Sequence, residues 1–189
     1  MKNNLNEMIY GKYFADDIQN MTEEQLKKEF IKWLGEEKWN EEEALSDLMK
    51  ISMIVCNDLY IEPLPVIVED LEEESRLYIK DEYIAINRKL IFNKLEALKG
   101  LIYQLRLYYQ IVTCTIDDES EPLVEQWKKD YAIVGTDEAK EAGNYMMLYV
   151  DAFAYTKYMI QKLTDYRFSY PDIVYDEIVN QYIKKYFEN

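Results

Sequence analysis

The chain of 189 residues contains no histidine. Histidine is the most common catalytic base near neutral pH and the most common metal ligand, so its absence excludes imidazole-dependent enzymes, including working zinc hydrolases of the HExxH type. Glycine is also scarce, with 5 residues. They form no GxGxxG, GxxxxGK or GxSxG pattern. The sequence therefore gives no support for a phosphate-binding loop or a nucleophile elbow.

Long apolar runs are missing as well. The longest, such as 51–55, are far shorter than the roughly 20 residues that a membrane-spanning helix needs, and residues 1–12 lack the apolar core of a signal peptide. The two cysteines, Cys56 and Cys114, show no CxxC spacing and lie in apolar helical contexts, which favours reduced, buried thiols. We expect a soluble cytoplasmic protein that does not associate with membranes.

What the chain does have is apolar surface and negative charge. Apolar residues make up 49%, with 18 Tyr, and no Pro-, Gly- or Ser-rich linker divides the chain, so we expect one globular domain over 1–189. The 37 acidic and 22 basic residues give a net charge of −15. A charge of this sign repels nucleic acid, which disfavours direct DNA or RNA binding and favours a partner protein with a basic surface.

The acidic residues concentrate in three clusters. These candidate partner-binding residues are Glu41, Glu42 and Glu43; Glu69, Asp70, Glu72, Glu73 and Glu74; and Asp117, Asp118, Glu119 and Glu121. One interpretation is that they are solvated helix ends and loops that keep the protein soluble. The other is that they form a face for a basic partner, together with tyrosines, which are enriched at protein interfaces.

Capping residues and apolar periodicity predict a mainly helical chain. Thr22 with Gln25 begins a helix that ends near 37, and Asn40 with Glu43 begins one that ends near 58. Asn93 with Glu96 begins a long central helix through about 112. Further helices are expected from about 120 to 131, from Thr136 to about 163, and from Pro171 to about 187 with Ile173, Ile178, Tyr182 and Tyr186 facing inward.

A change of period in the middle of the chain predicts a small sheet. Residues 66–68 form a strand, and 77–80 with 83–87 form the two arms of a hairpin. The fold class is therefore α+β, mainly helical, with the sheet packed on the central helix. We expect N-terminal helices over 1–62, a core over 63–163 and a C-terminal helix over 164–189.

One segment resembles a known enzyme family. Two strands ending in YIAIN, a short link and the helix EALKGLIYQLRLYYQ resemble the zincin-like core of small zinc peptidases of the ImmA/IrrE family, as does the later segment YVDAFAYTKYM. These peptidases occur on bacterial mobile elements and phages. In that family the helix typically reads LIHELRHYYQ. Here the HExxH positions are Tyr103-Gln104-Leu105-Arg106-Leu107. The resemblance covers about half of the chain, roughly 65–163.

The resemblance implies a zinc cleft whose functional residues have been replaced. Tyr103 and Leu107 stand at the two histidine positions, Gln104 at that of the catalytic glutamate, and Tyr149 at that of the carboxylate ligand, while Asp151 is kept and implies a packing role. A phenol, an alkyl chain and an amide supply neither zinc ligands nor a base, so we expect no metal and no cofactor. The alternative is that these are ordinary residues of a buried amphipathic helix.

These features lead to three functional hypotheses. The first is a catalytically inactive, peptidase-like protein that inhibits or regulates a nucleic-acid-handling protein such as a nuclease through an acidic, Tyr-rich surface, for example as an anti-CRISPR-like inhibitor. The second is a noncatalytic regulator that binds a phage-type repressor. The third is a residual hydrolase that uses carboxylates and magnesium. The sequence leaves open whether the acidic clusters or the vestigial cleft would contact the partner.

Overall fold

The computed structural model describes residues 21–35, 40–116 and 121–188. The helices are α1 (Glu23–Gly35), α2 (Glu41–Leu59), α3 (Lys94–Ile116), α4 (Pro122–Ile133), α5 (Asp137–Ala142), α6 (Met147–Thr164) and α7 (Ile173–Tyr186), and the strands are β1 (Val66–Glu69), β2 (Ser75–Tyr78) and β3 (Tyr83–Asn87). The predicted fold class, α+β and mainly helical, is confirmed. Among the described residues, no helix has the length and apolarity to span a membrane.

The three strands form one mixed sheet in the order β1–β3–β2. β2 and β3 pair antiparallel with Tyr78 opposite Tyr83, which confirms the predicted hairpin, although β2 begins at Ser75 rather than at 77. β1 pairs parallel with β3, with Val66 opposite Ile84. The sheet packs on α3, because β2 and β3 both contact this helix. The central strand β3 is buried from Ile84 to Asn87 as a result.

The predicted capping residues begin their helices as expected. Thr22 and Gln25 form a reciprocal capping box: the backbone amide of Thr22 donates to Gln25 Oε1 at 2.7 Å, and that of Gln25 donates to Thr22 Oγ1 at 3.3 Å. The side chain of Asn40 accepts a hydrogen bond from the amide of Glu43 at 2.9 Å. Asn93 and Thr136 cap α3 and α5 in the same way. These bonds satisfy amides that have no partner inside the helix.

The single helix predicted from Thr136 to about 163 is wrong. The chain leaves α5 at Gly143, which has a left-handed φ of 53°, passes through a 3-10 turn over Gly143–Tyr145, and begins α6 at Met147. Met146 offers no side-chain cap to the new helix. Instead the buried carboxylate of Asp130, on α4, accepts a hydrogen bond from the backbone amide of Leu148 at 3.0 Å. A cap supplied from another helix leaves no local sequence signal.

The largest core cluster joins α1, α2, the sheet, α3 and α6, and a second one lies between α6 and α7. The prediction for the inner face of α7 is partly wrong, because Ile173 is 75% exposed and Tyr186 41% exposed, while Tyr175, Val179, Tyr182 and Ile183 are buried. Both cysteines are free. Cys56 is fully buried as predicted, and burial raises the pKa of its thiol to about 11, whereas Cys114 is only partly buried.

Candidate functional site

The positions predicted from the peptidase resemblance meet where α3 packs against α6. The ring centroids of Tyr103, on α3, and Phe153, on α6, are 4.7 Å apart. Leu107 and Tyr149 belong to one apolar cluster that also contains the buried Leu148. Burial raises the pKa of Tyr103, and the nearby phenol of Tyr149 adds to this rise. The Tyr103 hydroxyl is therefore protonated at neutral pH and cannot serve as an anionic ligand.

Gln104 points away from this contact and toward the sheet. Its side-chain amide donates to the carbonyl oxygen of Ser75 at 3.0 Å and lies 3.1 Å from the Ser75 hydroxyl. That hydroxyl in turn donates to the carbonyl of Gly100 at 3.2 Å. A Cβ atom at Gly100 would lie 3.1 Å from Ser75 Oγ, so glycine permits the close approach of α3 to β2. Gln104 therefore joins the helix to the sheet.

Asp151 lies at the centre of a buried polar network. Its side chain is fully buried and accepts four hydrogen bonds, at 2.7 and 2.9 Å from Arg106 Nε and Nη2, at 2.6 Å from Gln110 Nε2 and at 2.9 Å from the hydroxyl of Tyr182. A carboxylate has about four acceptor positions, and all of them are used here. Gln110 also donates to the carbonyl of Leu148 at 2.9 Å. The network thus connects α3, α6 and α7.

The Arg106 guanidinium is enclosed by aromatic rings. It lies 4.5 Å from the ring centroid of Tyr109, 4.9 Å from Tyr155, 5.4 Å from Phe187 and 5.5 Å from Trp127. Burial alone would lower the pKa of Arg106, but the charge and hydrogen bonds of Asp151 outweigh it, so the pKa is raised. A bidentate pair surrounded by π faces holds both charges in the interior.

The five positions of the predicted cleft therefore divide into two groups. Tyr103, Leu107 and Tyr149 make packing contacts. Gln104 and Asp151 instead make structural hydrogen bonds, Gln104 to the sheet and Asp151 to α3 and α7. Over residues 21–35, 40–116 and 121–188, no group of three or more Cys, Asp or Glu side chains is arranged to hold a metal ion. The arrangement observed here couples helices to one another and to the sheet.

Two of the predicted acidic clusters form one surface. The Arg88 guanidinium pairs with Glu41, at the first turn of α2, and its Nε atom lies 3.4 Å from Asp70, in the loop after β1. We call the residues of these two clusters the acidic face: Glu41, Glu42, Glu43, Glu69, Asp70, Glu72, Glu73 and Glu74. Glu42, Glu43, Asp70, Glu72 and Glu74 are exposed. Arg88 brings together acids that are nearly thirty positions apart in the sequence.

Two tyrosines border the acidic face. The hydroxyls of Tyr78 and Tyr83, at the hairpin, donate to the two oxygens of Glu69 at 3.1 and 3.4 Å. Their rings stack with centroids 4.4 Å apart. Arg76 forms an ion pair with Glu73. These contacts hold part of the acidic face in a fixed geometry, which lowers the entropy that a partner must remove on binding.

Of the third predicted cluster, the structure describes Glu121 alone. Asp117, Asp118 and Glu119 lie outside the described residues, and Glu121 is exposed at the start of α4. Arg88 precedes the first turn of α3, whereas Glu121 follows its last turn. The 23 residues of α3, which extend over about 35 Å, separate Arg88 from Glu121 in the sequence.

Three residues that matter here were not singled out from the sequence. Arg88 and Arg106 each bind carboxylates, and Ser75 accepts hydrogen bonds from the side chain of Gln104. Arg106 carried a usable signal, since a charged residue inside an apolar helical stretch requires a buried partner. Arg88 and Ser75 carried none, because their partners are distant in sequence.

Comparisons with protein-family models, with curated proteins and with solved structures gave no match to this chain.

Proposed function

We propose that this protein is a noncatalytic binding protein that inhibits or regulates a basic, nucleic-acid-handling protein through the acidic face. The observation that carries the proposal is the bridge from Arg88 to Glu41 and Asp70, which turns two separate acidic clusters into one surface. Five acids of this surface are exposed, and stacked tyrosines border it. Such a surface matches the basic channels that otherwise hold phosphate.

The residues at the former peptidase positions support the noncatalytic part of the proposal. Gln104 donates hydrogen bonds to Ser75, and an amide has no useful proton affinity near neutral pH. Asp151 uses all its acceptor positions inside the protein. Neither side chain is available to activate a water molecule or to bind a substrate.

Affinity purification from the native host with three tagged proteins tests this function. The first is the wild type, the second carries Glu42→Lys, Glu72→Lys and Glu74→Lys on the acidic face, and the third carries Glu138→Lys, Glu141→Lys and Glu177→Lys on α5 and α7. All six residues are exposed, and the two variants have the same net charge. We expect one nucleic-acid-handling protein to be recovered by the wild type and the third protein but not by the second.

The outcome separates the competing hypotheses. Recovery of a helix-turn-helix repressor would favour the regulator hypothesis over inhibition of a nuclease. A partner retained equally by all three proteins would contradict a role for the acidic face. In that case substitutions at Tyr103, Tyr108 and Tyr155 would test the α3–α6 region instead.

The peptidase ancestry stays a prediction and has its own test. Tyr103→His, Leu107→His and Tyr149→Glu together would place three zinc ligands at the positions that the resemblance implies. We expect zinc to raise the melting temperature of this triple variant more than that of a control with the two histidine substitutions alone. Equal shifts would contradict the ancestry without affecting the binding proposal.

A further inference from the structure

A pocket of about 340 Å³ opens where the end of α2 meets α3, α6 and the end of α7. Its volume lies at the lower end of the roughly 300–1,000 Å³ that small-molecule sites occupy. The side chains that line it include Asp58, Arg106, Tyr109, Tyr155, Tyr158 and Tyr186. It is therefore walled largely by aromatic rings, with one cation and one carboxylate.

Several polar atoms that line the pocket have no hydrogen-bond partner among the described residues. Arg106 is 7% exposed and uses Nε and Nη2 to bind Asp151, which leaves Nη1 without a hydrogen-bond acceptor among the described residues. The hydroxyls of Tyr109, Tyr158 and Tyr186 make no hydrogen bond within the same residues. Nη1 is not one of the fully buried atoms that lack a partner in the described part of the chain, so it is accessible from the pocket and can donate to a ligand or to water.

The two ion pairs beside the pocket, Asp58 with Lys162 and Arg106 with Asp151, each have no net charge. The Asp58 carboxylate accepts hydrogen bonds from the hydroxyl of Tyr155 at 2.8 Å and from the ammonium group of Lys162 at 3.2 Å. Arg106 is paired with Asp151. The local balance differs from the net charge of −15 for the whole chain. An uncharged ligand suits this environment, since a phosphate would be repelled by the protein as a whole and an added cation would face Arg106 and Lys162.

We infer that this pocket binds an uncharged planar heterocycle of the nucleobase class, free or as a nucleoside. The ring of the ligand stacks on the tyrosine rings. An acceptor atom of the ligand accepts a hydrogen bond from Arg106 Nη1, and a ring or amino N–H group donates one to Asp58. Aromatic stacking of this kind tolerates any base, and the two polar groups select bases that carry a donor and an acceptor. The site is independent of the acidic face, which lies toward the other end of α3.

Titration calorimetry and ligand-observed NMR with adenosine, guanosine, cytidine and uridine test this inference. We expect at least one nucleoside to bind the wild type with one-to-one stoichiometry below about 1 mM. Tyr186→Ala should weaken that binding about tenfold, since base stacking on an aromatic side chain is worth about that much. Asp58→Asn should weaken it because the neutral amide oxygen of asparagine is a weaker acceptor than a carboxylate. Tyr166→Ala, at an exposed tyrosine that does not line the pocket, is the matched control and should bind as the wild type does.

The inference is overturned if no nucleoside binds at about 1 mM, or if neither pocket substitution weakens the binding. A loss in either variant whose melting temperature is unchanged supports it. A single-stranded oligonucleotide of the preferred base distinguishes a free ligand from a base within a nucleic acid. We expect the oligonucleotide to bind more weakly than the nucleoside, and tighter binding by it would overturn the assignment to a free ligand.

Discussion

Two arginines of this protein bind carboxylates in opposite environments. Arg106 and Asp151 have side chains that are 9% and 0% exposed, and they join three helices through Gln110 and Tyr182. Arg88 and its partners Glu41 and Asp70 are 43%, 44% and 83% exposed. A buried pair is costly to break because the remaining charge has no solvent, whereas an exposed pair contributes little to stability. The first pair therefore stabilises the fold, and the second lies on the surface that we propose binds a partner.

The largest expected effect is at the buried pair. Asp151→Asn removes the negative charge that faces Arg106 and turns an amide donor toward the guanidinium, so the free energy of unfolding should fall by about 3–5 kcal/mol. Glu41→Gln is the matched change at the exposed pair and should cost less than about 1 kcal/mol. Urea denaturation of both variants measures the difference. Equal losses would remove the distinction between the two regions.

The contact between α3 and β2 gives the next largest effect. Gln104→Glu replaces an amide that donates to the carbonyl and hydroxyl of Ser75 by a carboxylate that faces the same carbonyl. We expect a loss of about 2–4 kcal/mol at neutral pH.

This loss should depend on pH. Burial raises the pKa of the new carboxyl in the folded state, so that state binds more protons than the unfolded chain and the variant regains stability as the pH falls. Denaturation at a series of pH values measures this, with Gln104→Ala as the control that cannot titrate. A gap between Gln104→Glu and Gln104→Ala that does not change with pH would contradict the assignment of Gln104.

A partly buried pair between α6 and α7 lies between the two extremes. Burial would raise the pKa of Asp176, but hydrogen bonds from Lys157, the amide of Tyr170 and Asn180 outweigh it and lower the pKa. A carboxyl whose pKa is lowered by folding adds stability above its unfolded pKa of about 4, and this stability is lost as the pH falls through the folded pKa.

Asp176→Asn should therefore cost about 1–3 kcal/mol at pH 7, and its difference from the wild type should shrink on acidification below about pH 4. Acid titration of both proteins, followed by circular dichroism, measures this. A difference that grows on acidification would show that the sign of the shift is wrong.

Much of the fold could be predicted from local patterns, because the caps at Thr22, Asn40 and Asn93 and the alternation around the hairpin act within a few residues. The break between α5 and α6 could not, since Asp130 caps α6 from another helix. The acids of the acidic face were recognised from the sequence, but their union depends on Arg88, whose partners lie 47 and 18 positions away. The direction of the Gln104 side chain toward the sheet depends on Ser75, which only the folded chain brings near.

The smallest expected effect on stability is at the acidic face. The acidic-face variant with Glu42→Lys, Glu72→Lys and Glu74→Lys should unfold within about 0.5 kcal/mol per substitution of the wild type, because these side chains are exposed. Its melting temperature should therefore match that of the control variant with Glu138→Lys, Glu141→Lys and Glu177→Lys. A much less stable acidic-face variant would show that these acids serve the fold.

The rate of association with the partner recovered by affinity purification tests the central claim most directly. It is measured for the wild type and for both charge-reversed variants over a range of salt concentrations. We predict that the acidic-face variant associates about tenfold more slowly at low salt and with a shallower salt dependence, while the control variant behaves as the wild type does. Equal association rates for the two variants would contradict recognition through the acidic face.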